Sequence, residues 1–103
     1  MARATVKEYR LTPAAQNDLD DIWDYTARRW LAGQAEAFLR ALAATLEKLV
    51  ANPEIARERP EVSPPVRLHP YASHAIIYRI EGDYIAIIRI AHARQNWAAL
   101  LDP

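Results

Sequence analysis

The side chains that could do chemistry are few, and they fall late in the chain. His69, His74 and His92 are the three histidines, and Arg67, Arg79, Arg89 and Arg94 interleave with them over residues 66–94. Metal-free cleavage of RNA needs a base beside the 2′-hydroxyl, a cation on the scissile phosphate and an acid for the leaving oxygen. His92, with Arg79 or Arg89, Arg94 and one tyrosine, is a set of the right types. The same residues have a structural reading, in which strand-end histidines and arginines cap a sheet and pair with Glu or Asp. That second reading is favoured, because no aromatic-rich basic groove accompanies the set.

Other chemistries find less support. No two histidines share the i,i+4 helical spacing or a close carboxylate, so neither a metal nor another cofactor is expected. Ser63 and Ser73 lack a Gly-x-Ser-x-Gly turn, and two glycines are too few for a phosphate-cradling loop. The absence of cysteine excludes disulfides, thiolate metal sites and cysteine nucleophiles. Asp18, Asp20, Asp21 and Asp24 could be paired carboxylates, but early in a helix they read more simply as a solvated face matched to the helix dipole.

Thirteen Lys and Arg balance thirteen Asp and Glu, which removes the usual ground for direct nucleic-acid binding. The charge is unevenly placed, however. Residues 13–31 hold the four aspartates against Arg28 and Arg29, while residues 66–94 hold four arginines against Glu81 and Asp83. A neutral protein can still present a local basic face. No apolar run approaches the roughly 20 residues that span a bilayer. The first residues carry no signal-peptide core, so a cytoplasmic protein without membrane contact is expected.

These residues need elements to position them. At 103 residues the chain is expected to form one domain over 1–103. Its 51% hydrophobic content exceeds what so small a core readily absorbs, which points to an apolar patch kept for a partner. Val6–Leu11 alternates as a strand. Thr12-Pro13 is a helix start, followed by a stripe of Ala15, Leu19, Ile22, Trp23, Thr26 and Trp30 at helical spacing. Tyr25 lies about 100° from the centre of that stripe and need not be core. Leu31-Ala32-Gly33 breaks the helix, and a second apolar stripe runs from Ala35 to Val50 before Asn52-Pro53, which makes an antiparallel αα-hairpin. Prolines at 53, 60, 64 and 65 make 52–65 a long surface connection.

Val66–Leu68, Ser73–Ile80 and Tyr84–Ala91 read as strands, with a turn at His69-Pro70-Tyr71 and a hairpin at Glu81-Gly82-Asp83. A two-residue loop would put Arg79 and Arg89 on opposite faces, a three-residue loop on the same face. Gln95–Leu101 reads as a short helix carrying Trp97, Leu100 and Leu101, an apolar cluster where a chain end is normally polar. The order β-α-α-β-β-β predicts an α+β fold: an N-terminal strand, an αα-hairpin, a three-stranded antiparallel meander and a short C-terminal helical segment. The first strand can pair with either edge of the meander, or run parallel to its last strand.

Several motifs in this order resemble the ParE branch of the RelE/ParE toxin superfamily. They are Leu11-Thr12-Pro13-Ala14-Ala15, the run Asp18 to Tyr25, Asn52-Pro53, Arg67-Leu68-His69-Pro70, Ile76 to Ile80, and Ile90-Ala91-His92-Ala93-Arg94. The resemblance extends from about Leu11 to Leu101. It implies the toxin of a type II toxin–antitoxin system of the plasmid-stabilisation kind, neutralised by a ParD-like antitoxin. ParE-like toxins poison DNA gyrase, whereas RelE-like relatives cut mRNA on the ribosome without a metal, using basic residues on the sheet and often a tyrosine near the C-terminus. Residues 95–101 contain no tyrosine, which favours a gyrase-binding toxin over a ribonuclease. Arg67, Arg79, Arg89, His92, Arg94 and Trp97 are then expected to contact the target. Tyr25, Trp30, Leu100 and Leu101 are expected to contact the antitoxin.

Overall fold

Strand β1 (Glu8–Leu11) leads through Thr12 into helix α1 (Pro13–Arg29), and helix α2 (Ala32–Ala51) follows. The computed structural model describes residues 6–29 and 32–101. Thr12 caps α1, its Oγ1 accepting the Ala15 N–H at 3.1 Å. That hydroxyl also donates to the Ile88 carbonyl at 2.8 Å, tying the helix start to the last strand. The apolar stripe faces inward: Ala15 is fully buried, and Leu19 and Ile22 pack on the core. Trp30 lies outside the described residues. The break between the helices ends earlier than expected, since Gly33 already belongs to α2.

The proline-rich stretch contributes one short strand, β2 (Glu58–Arg59), at the edge of the sheet beside β3 (Val66–Tyr71). His69-Pro70-Tyr71 is therefore strand rather than turn. β2 covers only Val66 and Arg67, so Pro70 lies where β3 has no neighbour on that side and its missing N–H breaks no ladder. The reversal comes later, at Ala72-Ser73, where Ala72 adopts a φ of +52°.

Strands β4 (His74–Glu81) and β5 (Tyr84–His92) form a hairpin closed by the two-residue turn Gly82-Asp83. Gly82 supplies the positive φ, +62°, that such turns require. The sheet order is β1-β5-β4-β3-β2, and β1 runs parallel to β5, one of the pairings the sequence left open.

Both faces of the sheet are packed. On one face Ile76, Tyr78, Ile85, Ile87 and Ile90 meet Ala15 of α1 and Leu42 and Leu46 of α2. On the other, Val66, Ile77 and Ala91 are covered by Val62 and by Trp97, Leu100 and Leu101, in or beside helix α3 (Trp97–Leu100). The apolar C-terminal cluster thus closes a second, smaller core. Among the described residues, no helix is long and apolar enough to cross a membrane.

Candidate functional site

The chemistry-bearing residues are positioned by a bulge in β5. Ile77 pairs with Arg89, but the adjacent Tyr78 pairs with Ile87, so Ile88 is an extra residue that bends the strand. β1 has ended by this point, and α1 takes over the edge of β5 that it leaves free. The Thr12 N–H donates to the Ile87 carbonyl at 3.1 Å, and the Ile90 N–H donates to Asp18 Oδ2 at 2.9 Å. Arg89 completes the seam, its Nε donating to Asp18 Oδ2 at 2.8 Å and its Nη2 to Asp18 Oδ1 at 2.9 Å. This fork is the strong, two-point form of an arginine–carboxylate pair. It holds the guanidinium above its ordinary pKa, first through the hydrogen bonds to Asp18. The side chains are 24% and 13% exposed, so water screens them only in part. Asp18 is therefore not on a solvated face, and the acids of α1 begin beyond its first turn.

Beside this seam an open cleft of about 510 Å³ is lined by Asp18, Asp21, His74, Arg89, His92, Arg94 and Gln95 among others. His74 and His92 lie opposite each other at the ends of β4 and β5, with ring centroids 5.3 Å apart. His74 also meets Phe38 of α2 edge-on at 5.9 Å. Burial, and next the neighbouring His92, hold His74 below its ordinary pKa, while Asp18 pulls the other way. His92 is exposed and begins a tight turn. Its backbone N–H donates to Gln95 Oε1 at 2.8 Å, and its Nδ1 accepts the Arg94 N–H at 3.1 Å. Among the described residues, no three His, Asp or Glu side chains gather closely enough to hold a metal.

Arg67 and Arg79 line a different cleft, with Glu58, Pro64, Pro65, Ile80 and Glu81. Arg67 Nη1 donates to the Ala56 carbonyl at 2.6 Å, which binds the proline-rich loop to β3. Arg79 lies 3.7 Å from Glu81, a long contact between partly exposed groups that contributes little.

A profile described as the ParE toxin of the type II toxin–antitoxin system parDE matches residues 9–97. The chain belongs to the ParE toxin family. Toxin ParE1 of Mycobacterium tuberculosis is 40% identical over 89 residues, covering 85% of this chain and 91% of its own. Toxin ParE1 of Caulobacter vibrioides is 36% identical over 96 residues, covering 93% and 99%. A solved structure titled as the chromosomal ParDE system from P. aeruginosa superposes with a TM-score of 0.73 at 22% identity, covering 87% of this chain and 98% of that one. At that identity the likeness concerns the fold alone.

In this ParE toxin the expected basic cluster divides in two. Arg89, His92 and Arg94 share the cleft beside α1, while Arg67 and Arg79 share the one near the proline-rich loop. Trp97 belongs to the second core, half-buried with Leu100 and Leu101. Tyr25 stands 61% exposed on α1. Asp18 and His74 are absent from the sequence-derived set of site residues, and both turn out to organise the first cleft. The available signal for Asp18 was its place on the inner flank of an acidic run, one residue from the core residue Leu19. His74 carried a weaker one, since a histidine opening an apolar strand is placed to face its hairpin partner.

Proposed function

We propose that this ParE-family toxin acts by binding, with DNA gyrase as its target and a ParD-like antitoxin as its cytoplasmic neutraliser. The observation that carries the reading is the commitment of the basic residues. Arg89 is locked to Asp18, Arg67 is spent on the Ala56 carbonyl, and Arg79 lies in a separate cleft from His92. Tyr78, the tyrosine nearest the middle of the sheet, is fully buried, with its hydroxyl donating to the Pro53 carbonyl at 2.7 Å. His92, Arg89 and Arg94 do share a cleft, but Arg89 is already engaged by Asp18, and among the described residues no tyrosine lines that cleft to serve as the acid that cleavage needs. A binding surface makes no such demand.

Arg67, Arg79, Arg89, His92, Arg94 and Trp97 are the target-contact residues on this reading. Tyr25, Trp30, Leu100 and Leu101 serve the antitoxin, which needs an interface near the standard ~1,600 Å². A disordered ParD-like segment that folds on contact can wrap the αα-hairpin and a sheet edge at that scale. The family profile over residues 9–97, described as the toxin of the parDE system, supports an antitoxin of this type.

Induced expression tests the target. Gyrase poisoning gives filamentous cells and DNA-damage signalling while translation continues, and the purified toxin inhibits supercoiling by gyrase. Rapid arrest of translation with cleaved mRNA would overturn the reading in favour of a ribosome-dependent ribonuclease.

A further inference from the structure

The register of the sheet lines up three arginines on one face. Arg59 of β2 stands opposite Val66 of β3, Arg79 of β4 opposite Ala86 of β5, and Ala86 opposite Arg10 of β1. One step beyond the Arg67–Tyr78 pair, Val66 comes beside Arg79, and both line one cleft. Residues opposed across a ladder share a face, so Arg59, Val66, Arg79, Ala86 and Arg10 form a single row across all five strands. It lies on the side of the second core, since Val66 belongs to that core and Arg79 is two residues from Ile77. The cover given by α3 and its neighbours reaches Val66 and Ile77, but Ala86 is only half-buried and Arg10 is exposed.

Two other arginines of the sheet are spent, Arg67 on the Ala56 carbonyl and Arg89 on Asp18. Those of the row have capacity left. Arg59 and Arg79 have Nε atoms buried without a hydrogen-bond partner. Their carboxylate neighbours, Glu61 and Glu81, are 3.8 and 3.7 Å away, too far for a hydrogen bond. Arg10 is steadied by Glu8 at 3.2 Å and by the Tyr84 ring, whose centroid lies 4.0 Å from its guanidinium. Each arginine thus has a glutamate two residues along the chain, so a line of acids runs beside the line of bases. A nucleic-acid backbone, negative at every step, would set phosphates against those glutamates. A protein segment can match the two lines separately.

Spacing selects the form of that segment. Strands are about 4.8 Å apart, so arginines two strands apart recur about every 9.6 Å along the row. Residues seven apart on one face of a helix are separated by about 10.5 Å along its axis. Same-face residues of an extended strand recur at about 6.8 Å or about 13.6 Å, and neither fits. We propose that this row is a docking surface for an amphipathic helix of a partner protein, lying across the strands with an acidic residue at every seventh position. Its acids meet Arg59, Arg79 and Arg10, and the side chains between them pack on Val66 and Ala86. Arg59 and Arg10 belong to none of the target or antitoxin contacts named above, and the surface stands whether or not gyrase is the target.

The test is an NMR titration of the full 103-residue chain with a synthetic helical peptide carrying glutamate at every seventh position, followed through the arginine Nε–H signals. Those of Arg10, Arg59 and Arg79 are expected to shift while those of Arg67 and Arg89 stay in place. A peptide of the same composition with its glutamates scattered around the helix is expected to bind roughly tenfold more weakly. Arg10→Glu, at an exposed position on the edge strand, is expected to weaken binding roughly three- to tenfold, and a peptide with lysine for its terminal glutamate to restore it. That rescue separates contact from folding. Equal binding of the scattered peptide, shifts confined to Arg67 and Arg89, or a charge swap without rescue overturns the proposal. A DNA duplex that binds the same three arginines more tightly than the peptide overturns the protein partner. No readout involves toxicity, so any of these failures leaves the gyrase reading untouched.

Discussion

Replacing Asp18 by alanine removes three acceptor contacts at once: two from the Arg89 fork and one from the Ile90 N–H. Breaking a fully buried pair by removing one partner typically costs about 3–5 kcal/mol. Arg89 keeps 24% of its side chain in water and can rehydrate in part, so a discounted loss of about 2–3 kcal/mol is expected. For a domain of this size that corresponds to a fall in melting temperature of roughly 10–20 °C. Asp18→Asn keeps an oxygen for the Ile90 N–H but loses the charged fork, so it should fall between wild type and alanine, at about 1–2 kcal/mol. Urea unfolding of wild type, Asp18→Ala, Arg89→Ala and the double variant gives the coupling directly, expected at about 1–2 kcal/mol with an unchanged m-value. A coupling energy near zero, or an Asp18→Ala variant within about 0.5 kcal/mol of wild type, would refute the claim that this pair fastens α1 to the sheet.

Tyr78→Phe removes the donor to the half-buried Pro53 carbonyl, and denaturant unfolding should show a loss of about 1 kcal/mol. Gly82→Ala meets no atom within 4 Å but forces a side chain onto a φ of +62°, so it should cost about 1 kcal/mol, and Gly82→Asn less, by thermal melting. His74 is held below its ordinary value in the fold, so the unfolded chain takes up this proton first as pH falls. Its contribution to stability is therefore full above the unfolded value near 6.5 and is lost as the pH drops from there toward the folded value, a slope that His74→Gln should flatten in melts from pH 8 to pH 5.

The parts of this fold that could be read from sequence are those governed by neighbours in the chain. Thr12-Pro13 caps α1 through a contact three residues away, and Gly82-Asp83 closes its hairpin through one residue's positive φ. What escaped depends on distant partners. Asp18 and Arg89 are 71 residues apart, and nothing in either neighbourhood marks them as a pair. Pro70 looked like a turn because proline usually breaks a ladder, but β2 stops short of it and the ladder has no bond to lose there. The bulge at Ile88 leaves only a faint mark, the doubled Ile87-Ile88 where the isoleucine alternation shifts phase, yet it decides how Arg89 reaches α1. The candidate residues could be listed from the sequence by type but not by arrangement, since one basic cluster in sequence became two clefts in space.

That division changes what a loss-of-toxicity experiment can mean. Arg89 is at once a proposed contact residue and half of the fastening between α1 and β5, so Arg89→Ala lowers stability and surface charge together. Arg94 is exposed, and of its hydrogen bonds only the backbone one, to His92 Nδ1, enters the fold. Its side chain can be removed while that backbone bond is kept, so Arg94→Ala reads surface charge alone. Arg79 offers a comparison in the other cleft, where its contact with Glu81 is long and contributes little, and because its Nε is buried the Arg79→Ala variant is scored alongside its melting temperature. If binding to an acidic surface drives toxicity, both variants should weaken it in graded, salt-sensitive steps with the fold intact. If only one cleft meets the target, the two will separate, and that separation identifies the face in a way that no substitution at Arg89 can.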